Sequence, residues 1–300
     1  MSTLKTLGER KIIEVLLEQF ERTPNMAIPF GDDVAGYSTG DEELLILKTD
    51  MLVGKTDIPT GMSLWQAARK AVVMNISDFA AKGAKPRGIL VSLGLPDSLT
   101  KNDIVEIGTG LNAGAREYDT YILGGDTGEA SDLIISLSVF GNAEKSKVML
   151  RSGAKPGDLV AVSGCFGKTL SGLKILLDHL EASRKVREVL LDSVLMPKAR
   201  LKEGLALSKT GAISAAIDSS DGLAWSIHEI SRASRVGIAL EKLPIADEVL
   251  KFAEANGLDP AELTLYGGEE YELVVTVKRN LWSEAEKSVK KVGGTLYRIG

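Results

Sequence analysis

Five stretches of this chain deliver a carboxylate from an apolar run or a glycine turn. Asp32 and Asp33 follow Gly31, Asp50 closes LLILKTD, Asp126 follows two glycines in YILGGD, and Asp218 and Asp221 bracket DSSD. Asp78 stands alone among small and apolar residues in VVMNISDFAAKGAKPRG, the stretch around which the others are organised. Charged side chains are rarely buried unless they are paired or bound to a metal. Magnesium takes a few carboxylates together with water and phosphate oxygens, and phosphoryl transfer needs cations that neutralise the transferring group. Any one of these acids also fits a turn former or helix cap. As a set they point to magnesium and a nucleotide.

Other residues carry weaker signals. Gly124, Gly125 and Asp126 fit either a backbone anion nest or a hairpin turn. Arg151 in RSGAKPGD fits a phosphate fork or a solvated linker charge. Glu269 and Glu270 after two glycines fit a substrate contact or a soluble strand entrance. The G-K-T at 167–169 is not a phosphate loop, because Val162 occupies the position that must be glycine.

The elements that must position these residues follow from periodicity. Residues 7–20 have helical spacing, 44–47 form a short strand, and 51–61 read as a glycine- and proline-punctuated loop. Ser63 caps a helix over 64–74, with 75–78 leading out of it. Strands are expected over 88–95, 120–123 and 133–140, with a helix over 100–118. In the second half, strands are expected at 159–162, 213–217, 237–240 and 271–277. Helices lie between them and over 281–292. Without regular strand–helix alternation the fold class is α+β. The polar stretch at 145–157 divides the chain into domains 1–145 and 146–300.

Composition narrows the function classes. The 300 residues carry a net charge of −5, which argues against a nucleic-acid surface. One cysteine, Cys165, excludes an internal disulfide and a cysteine zinc site, and two histidines are too few for a histidine metal centre. No signal peptide and no run of roughly 20 apolar residues is present. A soluble, cytoplasmic protein without a membrane partner is expected.

Taken in order, GDDVA, KTDMLV, NISDFAAKGAKPRG, LGGDTGE, RSGAKPGD, IDSSDG and YGGEEYEL resemble the thiamine-monophosphate kinase family. That family belongs to the aminoimidazole ribonucleotide synthetase-like superfamily. The resemblance spans most of the chain. It implies two α/β domains, an N-terminal one that binds ATP and magnesium and forms a homodimer, and a C-terminal one that closes over the site. It further implies a role in thiamine biosynthesis: ATP-dependent phosphorylation of thiamine monophosphate to thiamine diphosphate, by direct in-line transfer. Asp33, Thr49, Asp50, Asp78, Asp218 and Asp221 would then bind magnesium. Gly125, Asp126, Arg151 and Ser220 would hold ATP, with Asp126 also able to meet a metal, and Glu269 would touch the thiamine moiety. No residue is expected to act as a chemical catalyst, because the acceptor is already a phosphate anion.

Three departures fall near the substrate and metals. Lys48 replaces the family's usual serine, and Asp57 stands where a substrate-loop histidine is typical. The chain also ends at Gly300 without the family's aromatic tail, for which Trp282 or Tyr297 is expected to substitute. The alternatives are another ATP-dependent enzyme of the superfamily or a nucleotide-binding protein without turnover. The selenium- and hydrogenase-related members are disfavoured because their reactive cysteines are missing.

Overall fold

One helix, Leu64–Lys82, has 15 of its 19 residues buried. The computed structural model of the protein describes residues 4–21, 23–40 and 42–300. In its first half come α1 (Leu4–Leu17), β1 (Met26–Ile28), β2 (Ala35–Ser38), β3 (Glu43–Val53), α2 (Gly54–Asp57), α3 (Leu64–Lys82), β4 (Lys85–Leu95), α4 (Lys101–Glu117), β5 (Ile122–Glu129) and β6 (Ile134–Glu144). The second half holds β7 (Leu159–Val162), α5 (Lys168–Leu177), α6 (Arg184–Leu195), α7 (Leu201–Ser208), β8 (Ile213–Asp218), α8 (Leu223–Ser234), α9 (Asp247–Asn256), α10 (Pro260–Tyr266), β9 (Leu273–Val277), α11 (Trp282–Lys291) and β10 (Tyr297–Arg298). The class is α+β, as expected from the sequence.

The first sheet has the order β1-β2-β3-β6-β4-β5, antiparallel except for the β4–β5 pair. The second has the order β10-β7-β9-β8 and is antiparallel. α3 is the shared core of both. It reads as a helix for local reasons. Ser63 and Gln66 form a reciprocal capping box, worth about 1 kcal/mol, and Gly83 ends the helix at φ 62°, a conformation glycine enters without strain. Nothing interrupts it at 75–78, because the Asn75 side chain bonds back to Ala71 O at 3.0 Å. The expected stop near residue 74 is therefore wrong by two turns, and Asp78 sits on the helix itself.

Small residues let α3 approach its neighbours closely. A Cβ on Gly110 of α4 would meet Trp65 O at 2.2 Å, and one on Gly204 of α7 would meet Ala80 O at 2.0 Å. Arg69, buried, forks onto Glu117 at 2.7 and 2.6 Å and donates to Pro197 O at 2.9 Å, tying α3, α4 and the second half together.

Other boundaries also differ from expectation. β3 runs through Val53, and 54–57 form a helical turn rather than open loop. β5 runs through Gly124–Glu129, so those glycines are in a strand and not a hairpin. Residues 237–240 form no strand. Ile238 and Leu240 pack on the second-half core, but the nearby carbonyl of Ile299 bonds Glu241 and Lys242 instead of starting a ladder there.

Candidate active site

In β3, side chains alternate between the two faces of the sheet. Leu44, Ile46 and Leu52 are buried on the face covered by α3, and the same parity puts Lys48 and Asp50 on that face. Asp78 projects from α3, Asp33 from the turn before β2, and Asp218 from the end of β8. Carboxylate oxygens of Asp33, Asp78 and Asp218 lie within 4.8 Å of one another, and all three residues are buried. Residues far apart in sequence thus meet where the two sheets share α3.

Three cations surround these acids. Lys48 Nζ lies 2.9 Å from Asp78 and 3.9 Å from Asp50. Lys82, with no exposed surface, reaches Asp32 at 2.5 Å, Asp33 at 2.8 Å and Ala216 O at 3.0 Å. Arg151 ion-pairs with Asp33, donates from Nε to it at 2.6 Å and from Nη1 to Gly31 O at 3.0 Å. Its backbone N–H meets Asp32 at 3.1 Å. Ser77 Oγ donates to Asp218 at 2.7 Å.

Crowding sets the protonation. Burial, then the Asp218 charge, pushes the Asp78 carboxyl well above the usual range. Burial and the Asp33 charge push Asp218 up to about 6. Burial acts on Asp33 in the same direction, but Lys82 and Arg151 outweigh it and hold that carboxyl below its ordinary value. Burial opposes the charge on Lys48, yet Asp78 and Asp50 more than offset it and keep the ammonium charged. Positive charge brought near these two carboxyls would favour their ionised forms.

The donor set fits a hard divalent cation. Asp33 Oδ2 is buried against the Lys82 ammonium at 2.8 Å. Ser219 Oγ, beside Asp218, is buried without a partner.

The remaining expected residues are arranged differently. Thr49 is on the helix-free face of the sheet, where its Oγ donates to Leu137 O at 3.0 Å and meets Ser138 Oγ at 3.3 Å. Its hydroxyl points to the face opposite the Asp50 carboxylate, as strand alternation requires. Asp126 is in register with Ser92 on the exposed edge strand β5, apart from the three buried acids. Gly125 is required there because a Cβ would meet Val91 O at 1.8 Å. Ser220 and Asp221 are exposed in the turn leading to α8. Asp57 turns its carboxylate back onto Val53 N–H at 2.7 Å, which makes it a loop-closing group. Tyr297 is on β10, at the sheet edge opposite β8, and Trp282 opens α11 against the core.

Sequence reading missed Lys70. Buried in α3, its ammonium sits 2.6 Å from Glu269 and 3.1 Å from Asp57 O, linking the 54–57 turn to the second half. Glu269 and Tyr271 both take left-handed backbone, at φ 59° and 51°, which costs on the order of 1–3 kcal/mol each. Glu269 N–H bonds Ser220 O at 2.6 Å, and Tyr271 N–H bonds Ser219 O at 3.0 Å, so this strained segment braces the loop after Asp218. A lysine in an alanine-rich, otherwise apolar helix was the signal available for both Lys70 and Lys82.

Comparison with known proteins gives this geometry a family. Residues 31–143 match the AIR synthase related protein N-terminal domain, and residues 155–300 match its C-terminal domain. The chain is 40% identical to the thiamine-monophosphate kinase of Pyrococcus horikoshii over 92% of this chain and 84% of that one. The chain belongs to the thiamine-monophosphate kinase family. The Bacillus subtilis member is 32% identical over 91% of this chain and 84% of its own length. Among solved structures, AaThiL complexed with AMPPCP and TMP superimposes with TM-score 0.88 and 28% identity, covering 100% of this chain and 92% of that one. The hydrogenase maturation protein HypE shares the fold at TM-score 0.66 and 20% identity, over 96% of this chain and 87% of that one.

Proposed function

We propose that the protein phosphorylates thiamine monophosphate to thiamine diphosphate with ATP, by direct in-line transfer assisted by magnesium. The observation that carries this reading is the buried trio Asp33, Asp78 and Asp218, within 4.8 Å of one another, in a chain similar throughout its length to a kinase solved with AMPPCP and TMP. The activity also follows from the kinase relatives at 40% and 37% identity.

Asp33, Asp50, Asp78 and Asp218 would hold magnesium. Bound there, it supplies charge neutralisation across the β- and γ-phosphates and the attacking phosphate. Arg151 fixes the 31–33 turn through Asp33, Asp32 and Gly31, which keeps the acids aligned before nucleotide arrives. Gly125, Asp126 and Ser220 are candidate ATP contacts, and Asp221 is a candidate metal contact on the exposed turn. Glu269 offers a carboxylate to the cationic thiazolium ring, and Lys70 neutralises that carboxylate until the substrate binds. No side chain needs to remove a proton from the acceptor, so catalysis rests on positioning and electrostatics.

The working form is a homodimer. The helix-free face of the first sheet exposes Tyr37, Leu47, Met51, Leu90 and Leu123, and an apolar surface of this kind calls for a covering partner. A second copy, meeting the same face, is the simplest closed arrangement. The proposed division into domains 1–145 and 146–300 is supported by the two sheets, whose strands lie at 26–144 and 159–298. Among the described residues, no helix is long and apolar enough to cross a membrane.

The test is ADP release from ATP and magnesium, with and without thiamine monophosphate, with product identified by chromatography. Diphosphate formed in step with ADP supports the reading. ADP release indifferent to thiamine monophosphate removes that acceptor.

A further inference from the structure

Lys48 is unlike the other cations of the site. Lys82, Arg151 and Lys70 each donate to a backbone carbonyl as well as to carboxylates, Ala216 O, Gly31 O and Asp57 O respectively. Among the described residues, Lys48 Nζ has only Asp78 at 2.9 Å and Asp50 at 3.9 Å. Its side chain is 21% exposed, and it shares with Asp50 the face of β3 that looks toward α3. Asp50 keeps one oxygen on Met51 N–H at 2.8 Å, and its other oxygen faces the ammonium. The charge is therefore held between two carboxylates, one on a strand and one on a helix, by nothing but those carboxylates.

We propose that Lys48 is a tethered cation that takes the place of a divalent ion between Asp50 and Asp78. This rests on the reading of the acid cluster as a divalent-cation site. A lysine ammonium is a compact, strongly hydrated point charge on a flexible stem, so it neutralises paired carboxylates without imposing a fork geometry. It keeps the acids assembled in the metal-free protein and repels an ion that would bridge the same two groups. The wild-type chain consequently holds one divalent ion fewer, or holds it more weakly, than the same chain without the ammonium. Because no backbone group anchors Lys48, its amine is free to move onto a phosphate oxygen when nucleotide fills the site.

The experiment is titration of full-length protein with Mn²⁺ in the absence of nucleotide, following the resonance of the free ion. Wild type is compared with Lys48→Met, Lys48→Ser and Lys48→Arg, and thermal unfolding is recorded with and without Mn²⁺. Removing the charge is expected to add one bound Mn²⁺ or to tighten binding about tenfold or more, as loss of like-charge repulsion at short range requires. Lys48→Met should melt lower than wild type without metal and recover with Mn²⁺, whereas Lys48→Arg should bind as wild type does. Lys48→Ser, with its smaller side chain, serves if Lys48→Met does not fold. Equal stoichiometry and affinity in wild type and the charge-free variants overturns the inference alone. No Mn²⁺ binding by any of the proteins overturns the metal reading and this inference with it.

Discussion

Ser77 Oγ donates a hydrogen bond to Asp218 Oδ2 at 2.7 Å, joining α3 to β8 across 141 residues of sequence. It is the neutral donor that offsets part of the burial and charge crowding on Asp218. Ser77→Ala should therefore lower kcat by about tenfold, as a hydrogen bond to a charged group contributes roughly 1.5–3 kcal/mol. Steady-state kinetics beside a circular dichroism spectrum checks this. An unchanged kcat in a folded variant removes Ser77 from the positioning of Asp218.

The Glu269 carboxylate is held by Lys70 at 2.6 Å, and it is the group proposed to meet the cationic ring. Glu269→Gln is expected to raise KM for thiamine monophosphate by about an order of magnitude, the scale of one lost charge interaction, and to leave KM for ATP near its wild-type value. Separate titrations of the two substrates distinguish the outcomes. An equal rise in both constants would mean that the residue only supports the fold.

Glu270 caps a different part of the protein. Its carboxylate accepts from Gly167 N–H at 2.7 Å and Thr169 N–H at 3.1 Å, at the start of α5. Burial outweighs those donors and pushes the group up to about 7 from an ordinary 4.5. Between those values the folded chain holds a proton that the unfolded chain has released, so stability falls as pH rises through the window. The contribution is at most about 3 kcal/mol. Glu270→Gln keeps the acceptor oxygen without the charge, and should flatten the loss of stability between pH 5 and 8. Urea midpoints at both pH values measure it. The same slope in wild type and variant rules out Glu270 as its source.

Much of the site could be read from the sequence, because the acids stand out against apolar surroundings. Asp33, Asp78 and Asp218 were all expected, and the structure brings them together. Thr49 turns its hydroxyl to the face opposite Asp50, because adjacent strand residues face opposite ways, and a motif read as a string does not show which face each member takes. The sequence did not show that the Asp57 carboxylate also accepts from Val53 N–H and so closes the 54–57 turn. Lys82 stands four residues after Asp78 and ordinarily reads as a surface pair on a helix, while Lys70 has no acid within four positions and shows only as a basic residue in an apolar stretch. Here α3 is buried on all sides, and their partners, Glu269 and Asp32, come from distant segments. Residues 237–240 have strand-like composition but form no ladder, and the chain beside them bonds Glu241 and Lys242 through Ile299 O instead.

The exposed apolar face gives a prediction of its own. Leu90 is 49% exposed and Met51 54% exposed on the helix-free side. Leu90→Asp should convert a dimer into monomer without unfolding it, as a charge in the centre of an apolar interface is not tolerated. Sedimentation velocity at micromolar concentration is the measurement. A monomeric wild type contradicts the dimer at once, and a dimeric Leu90→Asp moves the interface elsewhere.

The most direct test of the central claim is the yield of thiamine diphosphate from ATP, magnesium and thiamine monophosphate, by wild type and by Asp78→Asn. The expected result is diphosphate equal to ADP from wild type, with product reduced by about 10³-fold or more in the variant, the scale of losing an electrostatic group from a phosphoryl-transfer site. Near wild-type turnover by a folded Asp78→Asn protein would contradict the acid cluster as the seat of the reaction.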